Sequence, residues 1–190
     1  MEQRCPICSG GTYSEHIRLT DWLCQQFWQR AGPGLSGLTC MAFGAEKLLL
    51  TDANLEVLNL CKENAKINSK FSNDVKVQLL DWLYPDQLQA VPEVYDVIIG
   101  SDLVYDPDII PNLINVLESL LTDTKQIAYI TSTVRKSETF NTFIELLEKS
   151  PFLSFSTMDI SEITPTVVHS FEQRPVVKLN IIAKKELDSV

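Results

Sequence analysis

KLLLTDANLEVLNLCKENAKIN, residues 47–68, decides the fold class. Lys47 to Thr51 is an apolar run of strand length. Asn54 to Asn68 then sets Leu55, Leu58, Cys61, Ala65 and Ile67 among polar residues at helical spacing, with Glu56 in the first turn. A strand running directly into an amphipathic helix is the repeating unit of a parallel sheet with crossover helices. The stretch therefore points to an α/β fold.

Downstream the alternation continues. Val75 to Leu80 alternates Val, Lys, Val, Gln before two leucines, as a strand near a sheet edge does. Tyr95 to Gly100 is almost wholly apolar, which suits a strand covered on both faces. Pro107 to Leu121 carries Ile110, Leu113, Ile114, Leu117, Leu120 and Leu121 near a 3.6-residue period, so a helix is expected. Gln126 to Thr131 reads as a strand and Ser137 to Glu148 as a helix. Phe152 to Met158 and Val176 to Ala183 alternate across a loop with Pro165, His169 and Pro175, as two antiparallel strands closing the sheet do.

Upstream the pattern fails. Nothing before residue 45 reads as a strand, and Asp21 to Arg30 (DWLCQQFWQR) fits a short amphipathic helix. Cys5-Pro-Ile-Cys8 has the gap of a zinc knuckle, and His16 with Cys24 could complete four ligands. The second closely spaced pair of such sites is absent, so no metal is expected. The five cysteines, an odd number, fit reduced thiols better than a disulfide framework.

Charge narrows the partners. Sixteen Lys and Arg against 25 Asp and Glu give a net charge of −9 and a pI near 4.7. That disfavours direct nucleic-acid binding, which is built from clustered cations, and suits a basic protein surface. No apolar run reaches the ~20 residues of a membrane span, and the start lacks the apolar stretch of a secretory signal. A soluble, cytoplasmic, monomeric chain is the expectation.

Residues 31–38 (AGPGLSGL) form a glycine-rich turn before an apolar helix that ends near Phe43-Gly44. Such a turn lets a ligand approach backbone N–H groups where the helix dipole is positive. Asp52, 18 residues after Gly34, ends the next strand and could accept the hydroxyls of a ribose, at about 1.5–3 kcal/mol per charge-assisted bond. It could equally cap the following helix. Asp81, followed by Trp82, ends the third strand, and Asp102 the fourth; open parallel sheets bind ligands beyond those ends. Trp82 could wall a purine or belong to the core.

Gly32-Pro33-Gly34-Leu35-Ser36-Gly37-Leu38, Leu50-Thr51-Asp52, Leu80-Asp81-Trp82 and Ser101-Asp102-Leu103-Val104-Tyr105 together resemble the successive motifs of the seven-strand S-adenosylmethionine-dependent methyltransferases. The Asp-x-x-Tyr at 102–105 resembles their protein-lysine branch. Thr133-Val134-Arg135-Lys136-Ser137-Glu138-Thr139 is most similar to the subfamily that methylates eukaryotic elongation factor 2. The resemblance runs over about residues 31–184 and implies a Rossmann-like seven-stranded sheet with helices on both faces. It implies that Gly32 and Gly34 hold the methionine end of S-adenosylmethionine, Asp52 its ribose, and Asp81 with Trp82 its adenine. Ser101 would line the pocket, and Asp102 and Tyr105 would border the substrate-lysine channel, with elongation factor 2 as the protein partner.

The resemblance stops at Arg30–Ala31. Where the family's first strand has an acid and a glycine, this chain has Trp28 and Arg30. Residues 1–30 are thus set apart as a divergent segment of an N-terminally truncated or divergent form. The domain is residues 31–190, with the central first strand missing or replaced. A catalytically inactive truncated form that only binds its substrate is the second reading. A nicotinamide dehydrogenase is poorer, because no hydride-transfer residue is evident.

Overall fold

The computed structural model describes residues 23–27, 34–69, 74–84, 87–88, 91, 94–162 and 176–186. Cys5, Cys8, His16, Trp22, Trp28, Arg30, Gly32 and the loop residues Pro165, His169 and Pro175 lie outside these, so the zinc-knuckle reading concerns residues that are not described. The element order is β1 (Leu23–Phe27), α1 (Leu35–Ala42), β2 (Lys47–Asp52), α2 (Leu55–Ile67), β3 (Val75–Leu79), β4 (Val97–Ser101), α3 (Ile110–Leu120), β5 (Ile127–Thr133), α4 (Ser137–Lys149), β6 (Leu153–Asp159) and β7 (Val177–Lys184). Among the described residues, no helix is long and apolar enough to cross a membrane.

One seven-stranded sheet runs in the order β3-β2-β1-β4-β5-β7-β6. The first five strands are parallel, while β7 is antiparallel to both β5 and β6. As expected, β3 lies at an edge and the last two strands close the other side. The helix expected over 21–30 does not form: Leu23–Phe27 is a strand, paired in parallel with β2 and β4. The physical reason is the ladder. Without β1, the facing backbone groups of two inner strands would be buried without partners, at roughly 1–3 kcal/mol each, which outweighs a weak helical preference. The central strand is therefore replaced in sequence, and the sheet takes it from before residue 31.

Side chains alternate across the sheet into two cores. On one face Leu48 and Leu50 pack with Met41, Ala45 and Cys61, joined by Ile99. On the other, Ile98, Ala128, Ile130 and Ile182 meet Ile110, Leu113 and Leu117 of α3 and Phe143 and Leu147 of α4. Helices thus cover both faces. The α2 helix begins where Asn54 Oδ1 accepts the Glu56 amide at 2.8 Å. The α3 helix begins at Ile110 and not at Pro107, because Asp106 Oδ1 accepts the Asp108 amide at 3.0 Å and holds a turn there.

Candidate active site

The acids gather on the carboxyl edge of the parallel strands. Phe27 of β1 is in register with Thr51 of β2 and Gly100 of β4. One step further out, Asp52 pairs with Leu79 and Ser101 with Thr131. Asp52 and Ser101 therefore stand on one row, one step beyond the described end of β1 and about 10 Å apart across two inter-strand steps. Alternation turns both toward the α1/α2 face, with Leu50 and Ile99.

Asp52 is wholly buried, at 0 % exposure. Its Oδ1 accepts the Asn54 amide at 2.7 Å, so Asn54 is the cap of α2 and Asp52 braces the turn before it. Burial, and secondarily the Asp52 charge, push the Cys61 thiol up, so Cys61 is a neutral neighbour. Gly34 closes over this cluster. It begins α1 at φ 79°, a left-handed conformation that strains side-chain-bearing residues. A Cβ there would lie 3.0 Å from Leu50 Cδ1 and 3.6 Å from Cys61 Sγ. The backbone reaches its position because there is no side chain.

Asp81 stands two residues beyond β3. Its amide donates to Gln87 Oε1 at 2.8 Å and its Oδ1 accepts the Leu83 amide at 3.0 Å, forming a turn at the rim. Trp82 is 3 % exposed and packs in the α3/α4 core. Of its two sequence readings, the described structure places the ring in the core.

The β4 end is built differently. Leu103 and Val104 bury in the α3/α4 core, while Asp102 and Tyr105 stay partly exposed at the two ends of the motif. A Cβ on Gly100 would collide with Leu103 and lie 2.7 Å from Ile130 Cδ1, so glycine lets this loop fold back on its strand. Asp102 is the one non-glycine residue with positive φ, 61°, among the described residues. Its amide donates to Thr131 O at 2.7 Å. Its Oδ1 accepts the Thr133 amide at 3.1 Å and Arg135 Nη1 at 2.9 Å, and its Oδ2 accepts Arg135 Nη2 at 2.5 Å. Burial raises the carboxyl's pKa, but these hydrogen bonds and the Arg135 charge outweigh it and hold the group below the usual carboxylate range. The same bonds, more than burial opposes, raise the guanidinium.

The structure thus brings Gly34, Asp52 and Ser101 to one face of the rim, sets Asp81 at its edge and turns Asp102 toward the end of β5. Gly32 lies outside the described residues. Sequence reasoning gave Arg135 no role at the site. Its signal was the Thr133-Val134-Arg135 segment, which follows directly on the strand next to β4.

A family model described as lysine methyltransferase matches residues 30–150. An uncharacterised protein of Dictyostelium discoideum is 28 % identical over 184 residues, covering 82 % of this chain and 51 % of that one. Protein-lysine N-methyltransferase EFM3 of Saccharomyces cerevisiae is 29 % identical over 127 residues, covering 63 % and 36 %. The chain spans about half the length of the first of these relatives and about a third of the second. An O-methyltransferase of Bacillus cereus in complex with SAH shares the fold, with a TM-score of 0.61 at 13 % identity over 85 % of this chain and 73 % of that one.

Proposed function

The chain belongs to the lysine methyltransferase family, and from that premise we propose that it is an S-adenosylmethionine-dependent protein-lysine N-methyltransferase whose substrate is elongation factor 2. The observation that carries the reading is the rim. Asp52 ends β2, and Asp81 and Asp102 follow β3 and β4, at the same edge of the parallel part of the sheet, where open α/β sheets take their ligands.

The residues present fit the cofactor. The buried Asp52 carboxylate suits the hydroxyls of a ribose, since charge-assisted bonds gain strength away from water. Gly34, left-handed at the start of α1, and Gly32 before it would hold the methionine end through the backbone N–H groups of this turn. Asp81 would border the adenine with Trp82 packed behind it, and Ser101 would line the pocket between Asp52 and the lysine channel. When bound, S-adenosylmethionine would supply the sulfonium methyl that a neutral lysine amine accepts, with the demethylated thioether as the leaving product.

The chain's own task is to present a lysine as a neutral, aligned amine, although free lysine has a pKa near 10.4. Asp102 and Tyr105 border the channel and orient the amine. A carboxyl held down by Arg135 is a poor base for an ammonium, so Asp102 positions and does not abstract. Alignment then supplies most of the acceleration. Elongation factor 2 is supported by the similarity of residues 133–139, and a net charge of −9 suits a basic surface on it. The same reading takes the protein as a cytoplasmic monomer.

Trp28 and Arg30, where the family's first motif has an acid and a glycine, favour one alternative, a catalytically inactive form that binds its substrate without methylating it. Calorimetry with the demethylated cofactor separates the two, and incubation with radiolabelled S-adenosylmethionine and a cell extract tests the reaction. Heat of binding and one labelled band at the size of elongation factor 2 are expected. A folded sample with neither result is the inactive form.

A further inference from the structure

The carboxylate expected to meet the substrate's cation already holds one. Both oxygens of Asp102 are taken by the two terminal nitrogens of Arg135, at 2.9 and 2.5 Å, and Oδ1 also accepts the Thr133 amide at 3.1 Å. The fork spans 33 residues of sequence and bridges the ends of adjacent strands β4 and β5. It also fixes Asp102 in its left-handed conformation, which persists in proteins only where surrounding contacts over-determine it. Arg135 remains 57 % exposed and Asp102 38 %, so the pair is accessible from solvent.

We infer that Arg135 is a positioning residue that turns the Asp102 end of the lysine site into a neutral ion pair, so that the site admits the lysine as a free amine and not as an ammonium ion. This rests on the methyltransferase reading above. A bare carboxylate attracts ammonium and raises the bound lysine's pKa, which stabilises the form without a lone pair. A bidentate guanidinium removes that attraction, because a single ammonium cannot match its planar two-donor contact. Among the described residues, Arg135 is the charge acting on Asp102, and Asp102 the charge acting on Arg135. Other titratable groups of the adjoining segments are Tyr105, Asp106, Asp108, Lys136 and Lys178. Asp106 is turned onto the Asp108 amide, and Lys178 is paired with Asp159 at 3.0 Å.

The test compares the unaltered chain with Arg135→Gln, Arg135→Lys and the double variant Asp102→Asn/Arg135→Gln. Methyl transfer from tritiated S-adenosylmethionine to purified elongation factor 2 is followed between pH 6.5 and 9.5. Binding of elongation factor 2 is measured by calorimetry at pH 6.5 with the demethylated cofactor present. Arg135→Gln is expected to bind the substrate several-fold tighter at pH 6.5 and to lower both KM and kcat near neutrality. The rise of its kcat should move about one pH unit or more upward. Arg135→Lys, which keeps the charge but loses the two-donor fork, should move the profile upward by less than Arg135→Gln, and the double variant should return substrate affinity at pH 6.5 to that of the unaltered chain. A pH profile unmoved in Arg135→Gln, with affinity unchanged or weakened, overturns the inference. If Arg135→Gln does not fold, an Arg135→Lys profile unmoved, with affinity unchanged or weakened, does the same. Absence of transfer by the unaltered chain at every pH, with cofactor bound, overturns the methyltransferase reading itself and is thus distinguishable.

Discussion

Asp52 and Asp102 close strands that flank the same central strand, yet their surroundings are opposites. Asp52 is fully buried and braces the start of α2. The Asp102 side chain is 38 % exposed, sits on a left-handed backbone and is clasped by an arginine from the next strand's end. On the proposed function, the buried acid recognises a small enclosed ligand, where low dielectric strengthens each hydrogen bond, and the exposed one meets a side chain brought in by a large partner. On that proposal, cofactor binding and substrate positioning divide along a single rim.

Four substitutions and one titration bear on that separation. Asp102→Ala should abolish lysine methylation while leaving cofactor affinity within about twofold, which calorimetry beside a radiolabel assay checks; retained turnover would remove Asp102 from the lysine site. Trp82→Ala should lower unfolding free energy by about 3–5 kcal/mol in urea, the cost of a large core aromatic. A loss well under 1 kcal/mol would instead mean a ring serving mainly as a ligand wall. Asp52→Ala should weaken cofactor binding tenfold or more, on the scale of one charge-assisted bond; unchanged affinity would end the ribose assignment.

Gly34→Ala should destabilise by about 1–2 kcal/mol, because alanine at φ 79° is strained and its methyl meets Leu50. An unchanged midpoint would show that the turn relaxes. The smallest effect is the acid titration. Asp102's carboxyl is held below its ordinary value, so its pairing stabilises the fold above the unfolded carboxyl pKa near 3.9, and that stability is lost as pH falls through the folded value. The stability difference between the unaltered chain and Asp102→Asn should thus be flat above about pH 5, shrink below 4 and weaken with salt, since the pair is exposed.

The order of strands and helices from residue 45 onward was legible because each element carries its own period. The apolar rows of α3 and the run in β4 state their type without reference to the rest of the chain. Leu23–Phe27 was not legible. Its apolar spacing within Asp21–Arg30 suits a helix, and only the backbone groups of β2 and β4 require a strand there. At the site, three strand-ending acids could be read from position alone, and all three stand at the rim. Which residue caps α2 could not, because Asp52 and Asn54 are both good caps and only the turn geometry assigns the task to Asn54. The partner of Asp102 escaped as well, since a contact across 33 residues depends on β4 and β5 being neighbours.

The most direct measurement of the central claim is amino-acid analysis of elongation factor 2 after incubation with the chain and methyl-labelled S-adenosylmethionine. The account predicts label recovered as methyl-lysine, present with the unaltered chain and gone with Asp102→Ala. Label on any other residue, or the same methyl-lysine yield from both proteins, would contradict it.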